Sequence, residues 1–171
     1  MIYINIGSNL NSLKGDRFYN LKKTIQLITA NKFKILKISN IYETPSYPNK
    51  KNPKFLNISL SIDTKEKPES LIKIFQTIEK KLQRNRTLKN QPRTCDIDII
   101  DYYSKIINTN QIVLPHPRAH LRNFVLYPLR EISPNWLHPV FNKKIDFLIK
   151  KLNFELRNEI TRLNESVIID Q

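Results

Sequence analysis

The strictest alternation of apolar and polar residues in the chain lies at positions 55–63. Successive side chains of a β-strand point to opposite faces, so this period of two predicts a strand with one buried face. The apolar face consists of Leu56, Ile58, Leu60 and Ile62. Phe55 and Asn57 then lie together on the opposite face, at the beginning of the strand.

Other segments show shorter strand patterns or the spacing of amphipathic helices. Strands are predicted at 2–6, 33–43 and 95–101, and helices at 15–31, 68–82 and about 143–157, with short helical segments near 122–131. Short connections between such mixed elements favour an α+β sandwich, with helices packed on one mostly antiparallel sheet. We expect a single domain over residues 1–171, in which 140–171 is a helical extension without a recognised motif.

The composition is that of a folded protein with a large excess of positive charge. Of the 171 residues 40% are hydrophobic, and 29 Lys and Arg stand against 15 Asp and Glu, a net charge of +14. No apolar run approaches the ~18 residues of a membrane span, and residues 1–6 lack the features of a signal peptide. The single cysteine, Cys95, excludes an internal disulfide and a cysteine-based zinc site. We therefore expect a cytoplasmic protein without a membrane partner.

The positive charge leaves a nucleic-acid-binding module open as an alternative function. The lysines are spread along the chain, and no basic stretch is interleaved with aromatic residues as in a single-strand-binding surface. Most of the charge is therefore expected to be solvated surface. The arginines differ from the lysines, because several of them cluster between Arg84 and Arg130.

The glycine content limits how a nucleotide could be bound. Gly7 and Gly15 are the only glycines, so neither a GxGxxG turn nor a GxxxxGK[ST] phosphate loop is present. A protein of this sequence that binds a nucleotide has to hold the phosphates with metal ions and cationic side chains.

Asp96 and Asp98 are the candidate metal ligands. They lie two residues apart in an otherwise apolar strand, which places both carboxylates on one face. Paired carboxylates are ligands that Mg²⁺ accepts alongside waters and phosphate oxygens. The alternative interpretation is a strand end with two solvated aspartates.

Cationic residues flank the two aspartates on both sides and favour phosphoryl-transfer chemistry. Guanidinium groups bind phosphate oxygens bidentately, and phosphoryl transfer depends mainly on positioning and on stabilising charge. Metal-dependent nucleotidyl transfer or phosphodiester hydrolysis, which also uses paired aspartates, is a further alternative. The flanking residues are Arg84, Arg86, Arg93, His116, Arg118 and Arg122.

Six blocks of residues, taken in order, resemble one known family. They are Gly7-Ser8-Asn9, Tyr42-Glu43-Thr44-Pro45, Phe55-Leu56-Asn57, Pro92–Ile99, Pro115–Arg118 and Arg122–Leu126. Together they resemble the 6-hydroxymethyl-7,8-dihydropterin pyrophosphokinases of folate biosynthesis, from residue 2 to about residue 135. With this resemblance we expect a single-domain, ferredoxin-like sandwich.

The resemblance implies transfer of pyrophosphate from ATP, the co-substrate, to the hydroxymethyl group of the dihydropterin, with release of AMP. It implies two Mg²⁺ ions bound by Asp96 and Asp98, and small-molecule substrates without a nucleic-acid partner. We expect the protein to be a monomer. The residues expected to support the reaction itself are Arg84, Arg93, Asp96 and Asp98.

Binding residues also follow from the resemblance. The ATP-binding residues would be Gln76, Glu79, Arg86, Arg93, Ile99, Val113, His116 and Arg122. The pterin-binding residues would be Thr44, Pro45, Tyr47, Phe55, Asn57 and Phe124, with the flat pterin between the two phenylalanine rings. Segment 84–92 lacks the tryptophan and the glycines that relatives often carry there, so we expect altered loop-closure kinetics.

Overall fold

The computed structural model describes residues 1–84, 91–165 and 167 of the chain. The strands are β1 (Ile2–Ser8), β2 (Lys34–Ile38), β3 (Tyr42–Thr44), β4 (Phe55–Asp63), β5 (Asp96–Tyr102), β6 (Ile107–Asn108), β7 (Val113–Leu114) and β8 (Thr161–Arg162). The helices are α1 (Arg17–Ala30), α2 (Pro68–Lys81), α3 (Asn123–Ile132), α4 (Ile145–Lys151) and α5 (Phe154–Asn158), with a 3₁₀ helix at Ala119–Leu121.

The main sheet is antiparallel, with the strand order β5-β1-β4-β3-β8. β2 pairs with the second half of β4, so that β2 and β3 lie end to end along the same edge of β4. β6 and β7 form a separate hairpin. The two βαβ-like crossings through α1 and α2 give the strand arrangement of a ferredoxin-like sandwich, which confirms the predicted fold class.

The apolar face of the sheet packs against α1 and α2. The alternating residues of β4, Leu56 to Ile62, are completely buried, as the sequence pattern predicts. They belong to one cluster with Leu21 and Ile25 of α1 and Phe75 of α2. Burying side chains of this size stabilises the fold by about 1.5–3 kcal/mol each.

The opposite face of the sheet is polar but is also buried, because α3 packs across β4. Asn57 and Ser59 are 2% and 1% exposed. The Asn5 amide nitrogen donates hydrogen bonds to the Ser59 hydroxyl at 3.2 Å and to the Phe124 carbonyl at 3.2 Å. A polar surface with hydrogen-bonded groups therefore lies beneath the first turn of α3, and helices cover both faces of the sheet.

Two predicted elements are divided in the structure. The strand expected over 33–43 is interrupted at Ser39 and Asn40, whose side chains bond to the backbone and to Glu131. The helix expected over about 143–157 is divided into α4 and α5. Asn153 accepts a hydrogen bond from the Leu156 N–H at 2.8 Å and so caps the second helix.

None of the helices in the described part of the chain combines the length and the apolar character that crossing a membrane requires.

His138 is a buried histidine that makes the stability of the fold depend on pH. Its ring is 3% exposed and accepts hydrogen bonds at Nδ1 from the N–H groups of Val140 and Phe141. Burial, followed by the nearby His120, lowers the pKa of His138 to about 4. Between pH 6.5 and 4 the unfolded chain therefore binds a proton that the folded ring does not, and the free energy of unfolding falls as the pH is lowered.

We expect His138→Asn to lose less stability than the parent protein between pH 6.5 and 4, because the asparagine does not titrate there. Urea unfolding at half-unit pH steps measures this difference. An equally steep decline in the parent and the variant would contradict the assignment.

Candidate active site

A row of aligned residues crosses three strands at one end of the polar face. Gly7 of β1 is paired with Asp96 of β5 on one side and with Asn57 of β4 on the other. Residues directly opposite each other in antiparallel strands point to the same face, so the Asp96 and Asn57 side chains flank a position without a side chain. A Cβ atom at Gly7 would lie 3.3 Å from Asn57 Oδ1 and 3.5 Å from Phe55 Cδ1. The glycine therefore allows the Asn57 amide and the Phe55 ring to lie close to β1, where a larger residue would crowd them.

Asp96 is held by two arginines. Arg84 Nη1 lies 2.5 Å from Asp96 Oδ1, and Arg93 Nη1 lies 3.0 Å from Asp96 Oδ2. Burial, and then the charge of Asp98, raises the pKa of Asp96, while the two arginines oppose this rise. Because burial and the charge of Asp98 both destabilise the ionised form of Asp96, an additional positive charge next to this carboxylate would be favourable.

Asp98 lies two residues further along β5 than Asp96, on the same face of the strand, and contacts Arg122 and His116. Arg122 Nη1 is 3.2 Å, and His116 Nε2 is 3.9 Å, from Asp98 Oδ2. The Arg118 N–H donates to His116 Nδ1 at 3.1 Å, and Arg122 Nη1 lies 3.3 Å from His116 Nε2. Burial, and then the charges of Arg122 and Arg118, lowers the pKa of His116 to about 4, so the ring is neutral at physiological pH.

Glu79 of α2 connects the helix to both Arg84 and β5. Its side chain is 1% exposed, accepts a hydrogen bond from the Ile97 N–H at 2.9 Å and forms an ion pair with Arg84. The resemblance implies that both Gln76 and Glu79 bind ATP, but of the two only Gln76 is exposed. Glu79 fixes Arg84 next to Asp96.

A cavity of about 240 Å³ adjoins Asp98 and brings together five of the residues expected to bind ATP. Those five are Gln76, Glu79, Ile99, Val113 and His116. The cavity is also lined by residues that sequence reasoning did not assign: Ile72, Phe75, Ile97, Gln111, Ile112 and Leu114. Of the remaining expected ATP-binding residues, Arg93 and Arg122 contact the two aspartates, and Arg86 lies outside the described residues.

Each of the two phenylalanines expected to sandwich the pterin carries a guanidinium group over its ring. Arg93 Cζ lies 5.4 Å from the centroid of Phe55, and Arg122 Cζ lies 5.3 Å from that of Phe124. Such cation–π contacts are worth roughly 0.5–2 kcal/mol. Each arginine therefore bridges one aspartate and one aromatic ring.

The other expected pterin-binding residues lie at the β3 side of the row. Asn57 Nδ2 donates to Thr44 Oγ1 at 3.1 Å, and both side chains are buried. Pro45 follows Thr44 and is half-buried. Tyr47 is 78% exposed, so the structure does not bring its side chain into this cluster.

Asn9 is a positioning residue to which sequence reasoning assigned no role. It is 1% exposed, and its Oδ1 accepts a hydrogen bond from the Arg93 N–H at 2.6 Å. Its Nδ2 donates to Ser46 Oγ at 3.1 Å and to the Pro53 carbonyl at 3.0 Å. One side chain thus connects the backbone at Arg93 to the loop between β3 and β4. In the sequence, the indication of a role for Asn9 is its place in the first of the six blocks, Gly7-Ser8-Asn9.

The donor set of the site fits a hard divalent cation that keeps much of its own hydration. Asp96 and Asp98 supply carboxylate oxygens from one face of β5. No group of three His, Cys, Asp or Glu residues able to hold a metal occurs within 1–84, 91–165 and 167. Two carboxylates without a complete protein cage are typical of Mg²⁺ sites completed by water and substrate phosphates.

Comparison with known proteins gives consistent relatives. The family model for 7,8-dihydro-6-hydroxymethylpterin-pyrophosphokinase (HPPK) matches residues 3–134. The chain is 35% identical over 144 residues to the 2-amino-4-hydroxy-6-hydroxymethyldihydropteridine pyrophosphokinase of Aquifex aeolicus, covering 84% of the chain and 87% of that protein. The Bacillus subtilis protein of the same name is 38% identical over 131 residues, or 76% of each chain.

Longer relatives also match. The chain is 37% identical over 151 residues to the folic acid synthesis protein fol1 of Pneumocystis carinii, covering 88% of the chain but only 20% of that protein. It thus spans about a fifth of that relative. The crystal structure of wild-type Plasmodium falciparum HPPK-DHPS shares the fold, with a TM-score of 0.68 and 16% identity over 94% of this chain and 47% of that one. On the family match and the identities together, the chain belongs to the 7,8-dihydro-6-hydroxymethylpterin-pyrophosphokinase family.

Proposed function

We propose that the chain transfers the pyrophosphoryl group of ATP to the hydroxymethyl oxygen of 6-hydroxymethyl-7,8-dihydropterin, giving the pterin diphosphate and AMP. The observation that carries this proposal is the row Asp96–Gly7–Asn57. Two strand spacings separate its ends by roughly 10 Å. This distance suits a bicyclic ring held at Asn57 with its hydroxymethyl group directed across Gly7 towards the acids.

The pterin would be held by stacking and by buried polar groups. Phe55 and Phe124 supply the aromatic faces, and Asn57 supplies amide groups in a site with little water. Thr44 and Pro45 are proposed to line the same pocket, Thr44 through its contact with Asn57, whereas the exposed Tyr47 side chain is left out of it. Stacking fixes the plane of the ring, and the amide fixes its orientation in that plane.

ATP would occupy the cavity beside Asp98 and extend towards Asp96. Gln76, Glu79, Ile99, Val113, His116 and Arg122, together with Arg86 and Arg93, are proposed to bind it. His116 lines this cavity as a neutral ring and is proposed to contribute a hydrogen-bonding ring nitrogen to it. Arg84 and Arg93 already face Asp96 and are proposed to stabilise the charge that develops during transfer.

We propose that Asp96 and Asp98 hold two Mg²⁺ ions. When bound, these ions would neutralise the phosphate charge and align the phosphates. Arg84, Arg93 and Arg122 already pair with Glu79, Asp96 and Asp98, so these ion pairs leave little positive charge for a triphosphate. Divalent ions would supply that charge together with the phosphate oxygens as ligands.

Further proposals concern the whole chain. Residues 1–171 are proposed to form one domain that acts as a monomer without nucleic acid, since every group in the row comes from one chain. We propose the cytoplasm as its compartment. Cys95 is a buried free thiol whose pKa burial raises to about 12, so it is inert and needs no oxidising environment.

The test of the proposed function is release of AMP from ATP by the purified chain. We expect AMP only when both the hydroxymethyl dihydropterin and Mg²⁺ are present, and none after chelation with EDTA. Pyrophosphate release instead of AMP would indicate nucleotidyl transfer. Tight, salt-sensitive binding to DNA or RNA without AMP formation would support the nucleic-acid-binding alternative.

A further inference from the structure

A second concave surface, larger than the cavity beside Asp98, lies between the 3₁₀ helix and α4. Its volume is about 610 Å³, which is in the range of small-molecule sites. Most of its lining is apolar and comes from Leu121, Phe141, Phe147, Leu148, Leu152 and Leu156. We call it the α4 groove. None of the residues expected to bind ATP or pterin lines it.

Two lysines give the α4 groove a positive rim. The Lys143 and Lys151 ammonium groups lie 5.3 and 5.6 Å from the centroid of the Phe147 ring. Within the described part of the chain, neither lysine forms an ion pair with a carboxylate. The nearest acids along the chain have other partners: Asp146 lies 3.6 Å from Arg130, and Glu155 pairs with Lys50.

His120 also lines the α4 groove. Its Nδ1 atom is buried without a hydrogen bond in the described residues, and burial lowers the pKa of the ring. Any ligand of the groove would therefore contact the edge of this ring and not its buried Nδ1 atom.

The described residues that follow α5 do not cover the α4 groove. β8 pairs with β3, and Leu163 and Val167 pack against the cluster beneath α1 and α2. That cluster lies on the opposite face of the sheet from α3 and α4. The described end of the chain therefore leaves the groove open.

We propose that the α4 groove binds a small anionic molecule with a flat apolar body, of the aromatic-carboxylate class. The apolar body would lie against Phe147 and Leu121, and the carboxylate would pair with Lys143 and Lys151. This proposal is independent of the pyrophosphokinase reaction, because the groove and the row share no residue.

The test is titration of the full-length protein with 2-naphthoate, followed by calorimetry and by amide chemical shifts. We expect one site with a dissociation constant of roughly 10⁻⁴ M, as for a compact ligand of this size. The shifts should concentrate at Leu121, Phe141 and Phe147. The uncharged 2-naphthamide has nearly the same shape and should bind about tenfold more weakly.

A pair of double variants separates the site from general surface charge. Lys143→Gln with Lys151→Gln should weaken 2-naphthoate binding about tenfold. Lys144→Gln with Lys150→Gln removes the same charge from neighbouring positions that do not line the groove, and should leave the affinity unchanged. All four lysines are exposed, so both proteins should fold. Equal binding of the amide, equal loss in both double variants, or no binding at millimolar concentration would overturn the proposal.

Discussion

Asp96→Ala and Asp98→Ala are expected to reduce AMP formation about a thousandfold or more. Each substitution removes a carboxylate that would hold a divalent cation, a contribution of several kcal/mol to the transition state. The loss of Asp96 also removes a carboxylate contact of Arg84, whose side chain is 9% exposed, while the ion pair with Glu79 remains. Steady-state rates at saturating ATP, pterin and Mg²⁺ measure the effect.

Two further variants test whether the loss of activity comes from a loss of structure. Asp96→Asn keeps the shape of the side chain but not its charge, and should be as inactive as the alanine variant. Asp146→Asn removes a carboxylate from the surface of α4 and should retain the parent rate. Circular dichroism should show folded protein in every case. A near-normal rate in either aspartate variant would exclude a metal-binding role for that residue.

Asn57→Ala is expected to raise the KM for the pterin about 50-fold while leaving the KM for ATP nearly unchanged. Asn57 is 2% exposed, and its Oδ1 would lie 3.3 Å from a Cβ atom at Gly7. A ligand edge placed there would lose a buried hydrogen-bonding partner, which costs about 2–3 kcal/mol. Initial rates at varied pterin and saturating ATP measure the change.

Ser59→Ala is the matched control for Asn57→Ala. Ser59 lies two residues further along β4, on the same face and equally buried, but contacts Asn5 instead of the row. Its loss should lower the thermal stability slightly and leave both KM values unaltered. Equal increases of both KM values in Asn57→Ala would indicate a general disturbance of the sheet and contradict a role specific to the pterin.

The parts of this structure that could be predicted from the sequence depend on local periodicity. The alternation in β4 fixed which residues face the core, because a strand has a period of two regardless of its neighbours. The placement of Asp96 and Asp98 on one face follows from the same rule. Pro68 begins α2, as expected from its suitability for the first turn of a helix.

The remaining features depend on contacts between distant segments. The row that joins Asp96, Gly7 and Asn57 requires the register of three strands, which no local pattern contains. The burial of Glu79 depends on the Ile97 N–H and on Arg84. The polar face of β4 is expected to be solvent-exposed until α3 is known to cover it. Tyr47, which the resemblance places in the site, is 78% exposed and lies outside the cluster.

The guanidinium groups above Phe55 and Phe124 have a consequence for inhibitor design. Under the proposed function, a flat heterocycle that stacks on the ring faces covered by Arg93 and Arg122 would have to displace these guanidinium groups, and would give them no new binding partner. A bisubstrate compound with a tethered phosphonate chain gives those arginines an anionic partner as they leave. Potency should therefore rise more steeply with the anionic arm than with additional decoration of the heterocycle.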